Sequence, residues 1–348
     1  MKVLSLFNGM NCIGLALKNL DIKFELYASE IDKFSIKVSD TLFPNTINLG
    51  DITKINLKNL PVFDLVVGGS PCQGFSFAGK RLNFSDPRSK LFFEFMKILN
   101  FCKKKNPNIK FLLENVKMEK KEQHIITKFI GIEPIEINSS LLSSQNRKRL
   151  YWTNIGTNKR NLFRIEQPGI KQPKDKGILL ENILDKNVPA KYNISKKGFD
   201  FITNPMRLNK KFTAIGGKKS LCLTAKGQTN WTGTFIRIKE ATKKAYTEIY
   251  PGECFDLNYK ESKSRRGRKM KFKSHTLTAK KIEFYTFEID RIRRLTPKEC
   301  ARLQTIPNWA IKKMLNCGVS DSQLYKMLGN GWTVEVISYI FSHNKWQQ

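Results

Sequence analysis

The chain has 348 residues, with 62 Lys plus Arg against 30 Asp plus Glu, a formal charge of +32. That length fits two domains of ~100–200 residues each, and 40% hydrophobic with 11% aromatic content excludes a globally disordered chain. The longest apolar runs, LVVGG at 65–69 and FLLENV at 111–116, fall far short of the ~20 residues of a membrane span, and MKVLSLFNG lacks the apolar core of a signal peptide, so a cytoplasmic, membrane-free protein is expected.

In chain order, KVLSLF (2–7) predicts a buried strand and CIGLALKNL (12–20) a short amphipathic helix. FELYASE (24–30) follows as a strand, and DKFSIKVSDTLF (32–43) as a helix with apolar positions at helical spacing. FDLVVGG (63–69) predicts a strand, SKLFFEFMKILNFCKK (89–104) a long helix and KFLLEN (110–115) another buried strand. MEKKEQHIITKFIG (118–131) is helical in pattern, and RLYWTN (149–154) closes the series as a strand. Continuous apolar strands alternating with helices predict a doubly wound α/β domain over residues 1–155. From 156 to 285 Gly, Pro, Lys, Thr and Asn dominate and helical periodicity fades, which predicts a smaller, mostly β domain. KSLCLTAK (219–226) and KSHTLTAK (273–280) are its Thr-rich strand candidates. Helical pattern resumes at TPKECARLQ (296–304), with Thr296 as N-cap and Pro297 at the first helical position, and a last helix is predicted over 333–343. The segment 286–348 is expected to complete the first domain.

The charge suits a polyanion partner, nucleic acid being the commonest, or else a Lys-rich composition scattered over a solvated surface. Clustering decides: between Lys260 and Lys281 lie ten Lys or Arg and one acidic residue, Glu261. Seven cysteines, no two closer than 17 residues, and three histidines lack the paired short spacings of a zinc site, so no metal is expected. The odd cysteine count without an export signal predicts reduced thiols.

In open α/β sheets, ligands sit beyond the carboxyl ends of the strands. The first strand runs into FNGMNCIG, where Gly9 permits a tight turn but the GxGxxG phosphate fingerprint is missing. Glu30 closes the second strand, where a carboxylate accepts from ribose hydroxyls, and Asp51 in GDIT stands where it can accept from an adenine amine. Ribose and adenine recognition without a phosphate cradle suggests an adenosyl cofactor such as S-adenosylmethionine. After FDLVVGG comes SPCQGFS, a Pro- and Gly-fixed loop carrying Cys72, and after KFLLEN comes Glu114 at the same edge. QNRKR (145–149) brings Arg147 and Arg149 in just before the last strand.

These blocks carry a family resemblance. SLFNGMNCIGLAL, SEID, GDIT, GGSPCQGFS, DPRSKLFFEF, LLENV, QNRKRLYW, RRLTPKECARLQ and YKMLGNGW, in that order from residue 5 to 332, resemble the DNA (cytosine-5)-methyltransferases of phages and bacteria. Asn8 and Ile13 depart from the family's first block, where Asp or Ala and Gly are commoner. The resemblance implies a doubly wound S-adenosylmethionine-dependent methyltransferase domain with a target-recognition domain at 156–285. It implies Cys72 as nucleophile on cytosine C6, Glu114 as the acid at N3, and Arg149 with Arg147 on O2. For the cofactor it implies Phe7, Gly9, Glu30, Ile31, Asp51, Ile52, Leu91, Asn330 and Trp332. The target base must be flipped out of the duplex. The loop at 77–89 with Lys80, Arg81 and Arg88, and Gln73 before it, is then expected on the DNA. In the recognition region the basic segment is expected to contact phosphates, and Arg265, Arg266, Arg268, Gln228 and Asn230 are the candidates for reading bases. The partner expected is double-stranded DNA bound by a monomer, with a cognate restriction endonuclease acting separately as an open possibility. Three rivals stand beside it: the same chemistry on tRNA, a catalytically inactive DNA-binding relative, and a nicotinamide dehydrogenase, the last disfavoured by the missing glycine fingerprint.

Overall fold

The computed structural model describes residues 1–70, 87–157, 168–204, 206, 212–237, 253–256, 269–271, 284–286 and 292–346. Its main sheet is built from β1 (Lys2–Leu6), β2 (Glu25–Ser29), β3 (Ile47–Asn48), β4 (Leu65–Gly69), β5 (Lys110–Val116), β6 (Ile135–Asn138) and β7 (Lys148–Thr153). The seven strands lie in the order β3-β2-β1-β4-β5-β7-β6. β1, β2, β3, β4 and β5 pair in parallel, whereas β7 runs antiparallel to both β5 and β6. The order reverses between β1 and β4, so a crevice opens at their carboxyl ends, where ligands of such sheets bind.

Strand alternation divides the core between two faces. Val3, Leu65, Val67 and Leu112 point to one face, and Leu4, Leu6, Val66, Phe111 and Leu113 to the other. The second face is covered by α3 (Pro87–Lys105) and α4 (Lys120–Ile130) through Phe92, Phe95, Leu99 and Ile126. The first is covered by α1 (Cys12–Lys18), α2 (Lys33–Leu42) and the C-terminal helices. Those last are α6 (Pro297–Leu303), α7 (Asn308–Asn316), α8 (Asp321–Asn330) and α9 (Val334–Phe341), reached after α5 (Lys196–Thr203) in the smaller part. The predicted helix start at Thr296 is present as a reciprocal cap: Thr296 Oγ1 accepts from Glu299 N at 3.1 Å, and Thr296 N donates to Glu299 Oε2 at 2.8 Å. Arg293 adds a bidentate pair to the same carboxylate, 2.8 Å on each arm, with both side chains buried.

The smaller part carries β8 (Thr213–Ile215), β9 (Gly233–Arg237) and β13 (Ile292–Arg294) in the order β13-β9-β8. A second three-stranded sheet has β10 (Glu253–Asp256) between β11 (Lys269–Lys271) and β12 (Phe284–Thr286). β13 thus pairs outside the C-terminal segment in which the sequence places it. Conversely Ile170, Leu180, Ile183 and Tyr192, from the recognition stretch, pack into the core of the main sheet.

One predicted strand is absent. KSLCLTAK at 219–226 forms no strand; its backbone runs beside 144–146, with Asn146 N donating to Ser220 O at 2.9 Å and Ser220 N to Ser144 O at 2.7 Å. Its repeat at 273–280 lies outside the described residues. Among the described residues no helix is long and apolar enough to cross a membrane.

Candidate active site

Beyond β1 the chain coils tightly, with Phe7, Gly9 and Asn11 all at positive φ (57°, 56° and 70°). Glu30, just past β2, holds this coil from beside it. Its Oε2 accepts from Gly9 N at 2.8 Å, and its Oε1 accepts from Ile31 N at 2.8 Å and Asp32 N at 2.9 Å. Asp51 caps the following turn by accepting from Thr53 N and Thr53 Oγ1, each at 2.9 Å, and these bonds lower its pKa. Ile52 is buried, whereas Ile31 is 76% exposed. Phe7 and Leu91 pack half-buried against the core on the α3 side. Asn330, at the end of α8, is exposed.

This edge fits an adenosyl group. Two carboxylates keep unused lone pairs for hydroxyl and amine donors, since a carboxylate has about four acceptor sites. Ile31 offers a bare apolar surface beside them, the space above Gly9 is open, and the buried Asn8 Oδ1 has no partner. Among the described residues no group of His, Cys, Asp and Glu is placed to hold a metal ion.

Glu114 lies on β5 with Gly69 of β4 on one side and Tyr151 of β7 on the other. The antiparallel register of β7 then sets Arg149 opposite Val116, two residues further along. Both carboxylate oxygens are occupied: Oε1 by Arg149 Nε and Oε2 by Trp332 Nε1, each at 3.0 Å. Burial works against the Arg149 charge, but the Glu114 carboxylate, Cys222 and Tyr151 outweigh it and raise the pKa. The remaining guanidinium nitrogens contact Lys148 O at 2.9 Å and the Cys222 sulfur at 3.8 Å. Beside Glu114, Asn115 Nδ2 donates to Ser70 Oγ at 3.2 Å and so ties β5 to the end of β4.

Arg147 goes elsewhere. Its guanidinium is buried and donates to Leu223 O (2.9 Å), Gly331 O (2.8 Å), Gly329 O (3.2 Å) and the Cys222 sulfur (3.4 Å), with no hydrogen bond to Glu114. Gln145 does similar work, accepting from Leu223 N at 2.8 Å and donating to Leu303 O at 3.3 Å. Alternating residues of QNRKR therefore fasten the 220–223 segment and the α8 end to the main sheet. Gln228 is also buried: its amide donates to Thr234 O at 3.3 Å and accepts from Leu295 N at 3.1 Å. Both ends of that amide are engaged inside the protein, which removes Gln228 from the candidates for reading bases, while Asn230 is exposed.

Cys72, Gln73, Lys80, Arg81, Arg265, Arg266 and Arg268 lie outside the described residues, as does the Arg88 side chain. Three other thiols are sequestered. Burial pushes Cys12 and Cys102 up to about 11 and raises Cys300 well above its ordinary value. Sequence reasoning missed the indole–carboxylate contact, because its partners are 218 residues apart and no local spacing announces it.

The model of the C-5 cytosine-specific DNA methylase family matches residues 1–346. The chain is 28% identical to the orphan methyltransferase M.SPRI of Bacillus phage SPR, an alignment covering 98% of this chain and 96% of that protein. It is 32% identical to the type II methyltransferase M1.ScrFI of Lactococcus lactis subsp. cremoris, covering 97% of this chain and 76% of that one. A solved DNMT2 mutant of Spodoptera frugiperda shares the fold with a TM-score of 0.62 at 23% identity, covering 98% of each chain. The family match runs through the main sheet, the Glu114–Arg149 pair and the C-terminal helices alike: the chain belongs to the C-5 cytosine-specific DNA methylase family and is a DNA cytosine-5-methyltransferase, whose family and fold imply use of S-adenosylmethionine.

Proposed function

We propose that the protein methylates C5 of a cytosine flipped out of a specific duplex sequence, through a covalent bond between Cys72 and C6 of the base. The observation that carries this reading is the buried Glu114–Arg149 pair at the edge where β4 runs on into SPCQG. Cytosine C5 is too weak a nucleophile to take a methyl group unaided. Attack of the Cys72 thiolate forms the C6–S bond, breaks the C5–C6 double bond and throws negative charge toward N3. Glu114 in its protonated form gives N3 that proton, and Arg149 polarises O2. When bound, S-adenosylmethionine supplies the methyl group that C5 takes up. C5 then loses its proton to solvent, the electron pair restores the C5–C6 double bond as Cys72 leaves as thiolate, and N3 returns its proton to Glu114.

Phe7, Gly9, Glu30, Ile31, Asp51, Ile52, Leu91, Asn330 and Trp332 hold the cofactor in this reading, with Glu30 on the ribose and Asp51 on the adenine amine. Arg147 acts at one remove, by fixing backbone around the site. Gln73, Lys80, Arg81 and Arg88 close over the flipped base, Arg265, Arg266 and Arg268 contact phosphates, and the exposed Asn230 is a further candidate to touch DNA. The protein acts as a cytoplasmic monomer. The type II name of one relative fits protection beside a separate endonuclease, and the orphan name of another fits action alone.

Bisulfite sequencing of DNA and of tRNA from cells expressing the protein tests the reading. One recurrent motif with protected cytosines in DNA is expected. Protection confined to tRNA, or none in either, would overturn it.

A further inference from the structure

We propose that Trp332 is a positioning residue for Glu114, and that the cofactor side of the cleft thereby sets the acid that activates the base. The proposal rests on the reading of Glu114 as the acid at N3. It goes beyond a wall of the cofactor pocket because the indole nitrogen is on the carboxylate itself, 3.0 Å from Oε2.

A carboxyl group that must hand a proton to a fixed ring nitrogen gains from having its plane fixed in advance. Glu114 meets that condition from two directions. Arg149 Nε holds Oε1 and Trp332 Nε1 holds Oε2, so rotation of the carboxyl plane breaks one bond or both. The indole is a donor only, so it cannot take the proton that Glu114 delivers, and it leaves a second lone pair on Oε2. The floor is close as well: a Cβ on Gly69 would stand 3.0 Å from both Glu114 Oε2 and Trp332 Nε1, so a larger residue there would press on this bond.

Trp332 is itself held at its backbone. The preceding carbonyl, Gly331 O, accepts from Arg147 Nη2 at 2.8 Å and Gln304 Nε2 at 3.3 Å. The Trp332 amide reaches the Cys12 sulfur, and Thr333 Oγ1 bonds Gln304 Oε1 at 3.0 Å. A Cβ on Gly331 would come within 2.7 Å of Met10 Cε, so this turn is packed tightly against the coil that follows β1. The route Arg147–Gly331–Trp332–Glu114 gives Arg147 a role in the chemistry without contact to the base.

The test separates this role from cofactor binding by removing the cofactor. Addition of Cys72 to C6 makes C5 able to take a deuteron from solvent, and reversal releases the original proton, so C5–H exchange reports the Glu114 step with no methyl donor present. Trp332→Phe keeps the ring and deletes only the N–H. Losing one hydrogen bond from a neutral carboxyl group predicts exchange slowed about 2- to 10-fold, and with no S-adenosylmethionine present a change in cofactor affinity cannot account for the loss. In a Glu114→Gln background, Trp332→Phe should slow residual exchange less than about twofold, because the carboxylate it serves is gone. Exchange at the parental rate would overturn the proposal. So would an equal loss in both backgrounds, which assigns the effect to folding or to the cofactor wall. Parental exchange in Glu114→Gln alone would instead remove the acid role on which the proposal stands.

Discussion

Glu30 shows how one carboxylate anchors a coil while, in the proposed reading, it also serves the ribose. It accepts three backbone N–H groups, from Gly9, Ile31 and Asp32, and so fixes the positive-φ coil whose open side faces the cofactor edge. The Glu30→Ala variant should lose both the ribose acceptor and the coil anchor. Calorimetry should show S-adenosylmethionine binding weakened by ~1.5–3 kcal/mol, the range for hydrogen bonds to a charged group. NAD should give no binding heat with the unmodified protein; NAD binding, or cofactor affinity indifferent to Glu30, would contradict the assignment. Thiol chemistry is sorted at the same scale. Burial pushes the thiols of Cys12 and Cys102 up to about 11, so both stay protonated near neutral pH and neither competes as a nucleophile.

Among the elements, the seam between the 220–228 segment and the end of α8 brings distant parts of the described chain into close contact. A Cβ on Gly329 would lie 2.2 Å from the Thr224 carbonyl carbon and 2.4 Å from Ala225 N, both backbone atoms that no rotamer change can move. Gly329→Ala should therefore destabilise the fold by ~1–3 kcal/mol through overpacking, read as a lower midpoint in urea. A midpoint equal to the parent's would mean the seam opens freely. This seam also marks where the sequence stops being legible. The strands of the main sheet announce themselves as apolar runs such as LVVGG and FLLENV, and the helix at Thr296 by its cap, because those signals are local. β3 has two residues and β6 four, too short to show a period. KSLCLTAK alternates like a strand, yet its hydrogen bonds go to a loop 75 residues earlier in the chain, with Arg147 reaching the Cys222 sulfur. Gln228 reads as surface because it is polar in a Thr-rich stretch, and the fold buries it by giving its amide two internal partners. In the site, Glu114 and Arg149 are visible through their motifs, whereas Trp332 on Glu114 needs the register of the whole sheet.

For the whole molecule, a charge of +32 makes affinity for DNA a question of where the cations lie. If the 260–281 cluster grips phosphates, replacing Arg265, Arg266 and Arg268 by Ala should flatten the plot of log affinity against log salt. The slope should fall by roughly 0.9 for every phosphate that the arginines no longer neutralise. Cofactor affinity should stay as it is, and an unchanged slope would make the cluster a solvated surface. In the proposed mechanism all these parts serve one chemical event, the bond between Cys72 and the base, which fluorine at C5 should make permanent. With 5-fluorocytosine at the target, C5 carries no proton to release after methyl transfer, so the reaction stops before Cys72 can leave. Intact-mass analysis after denaturation should find a protein–DNA adduct one methyl group heavier than the sum of its parts, formed only with S-adenosylmethionine present. The adduct should be absent in Cys72→Ala and slow to form in Glu114→Gln. An adduct that persists in Cys72→Ala, or that maps by peptide sequencing to Cys12, Cys102, Cys222 or Cys300, would contradict the account.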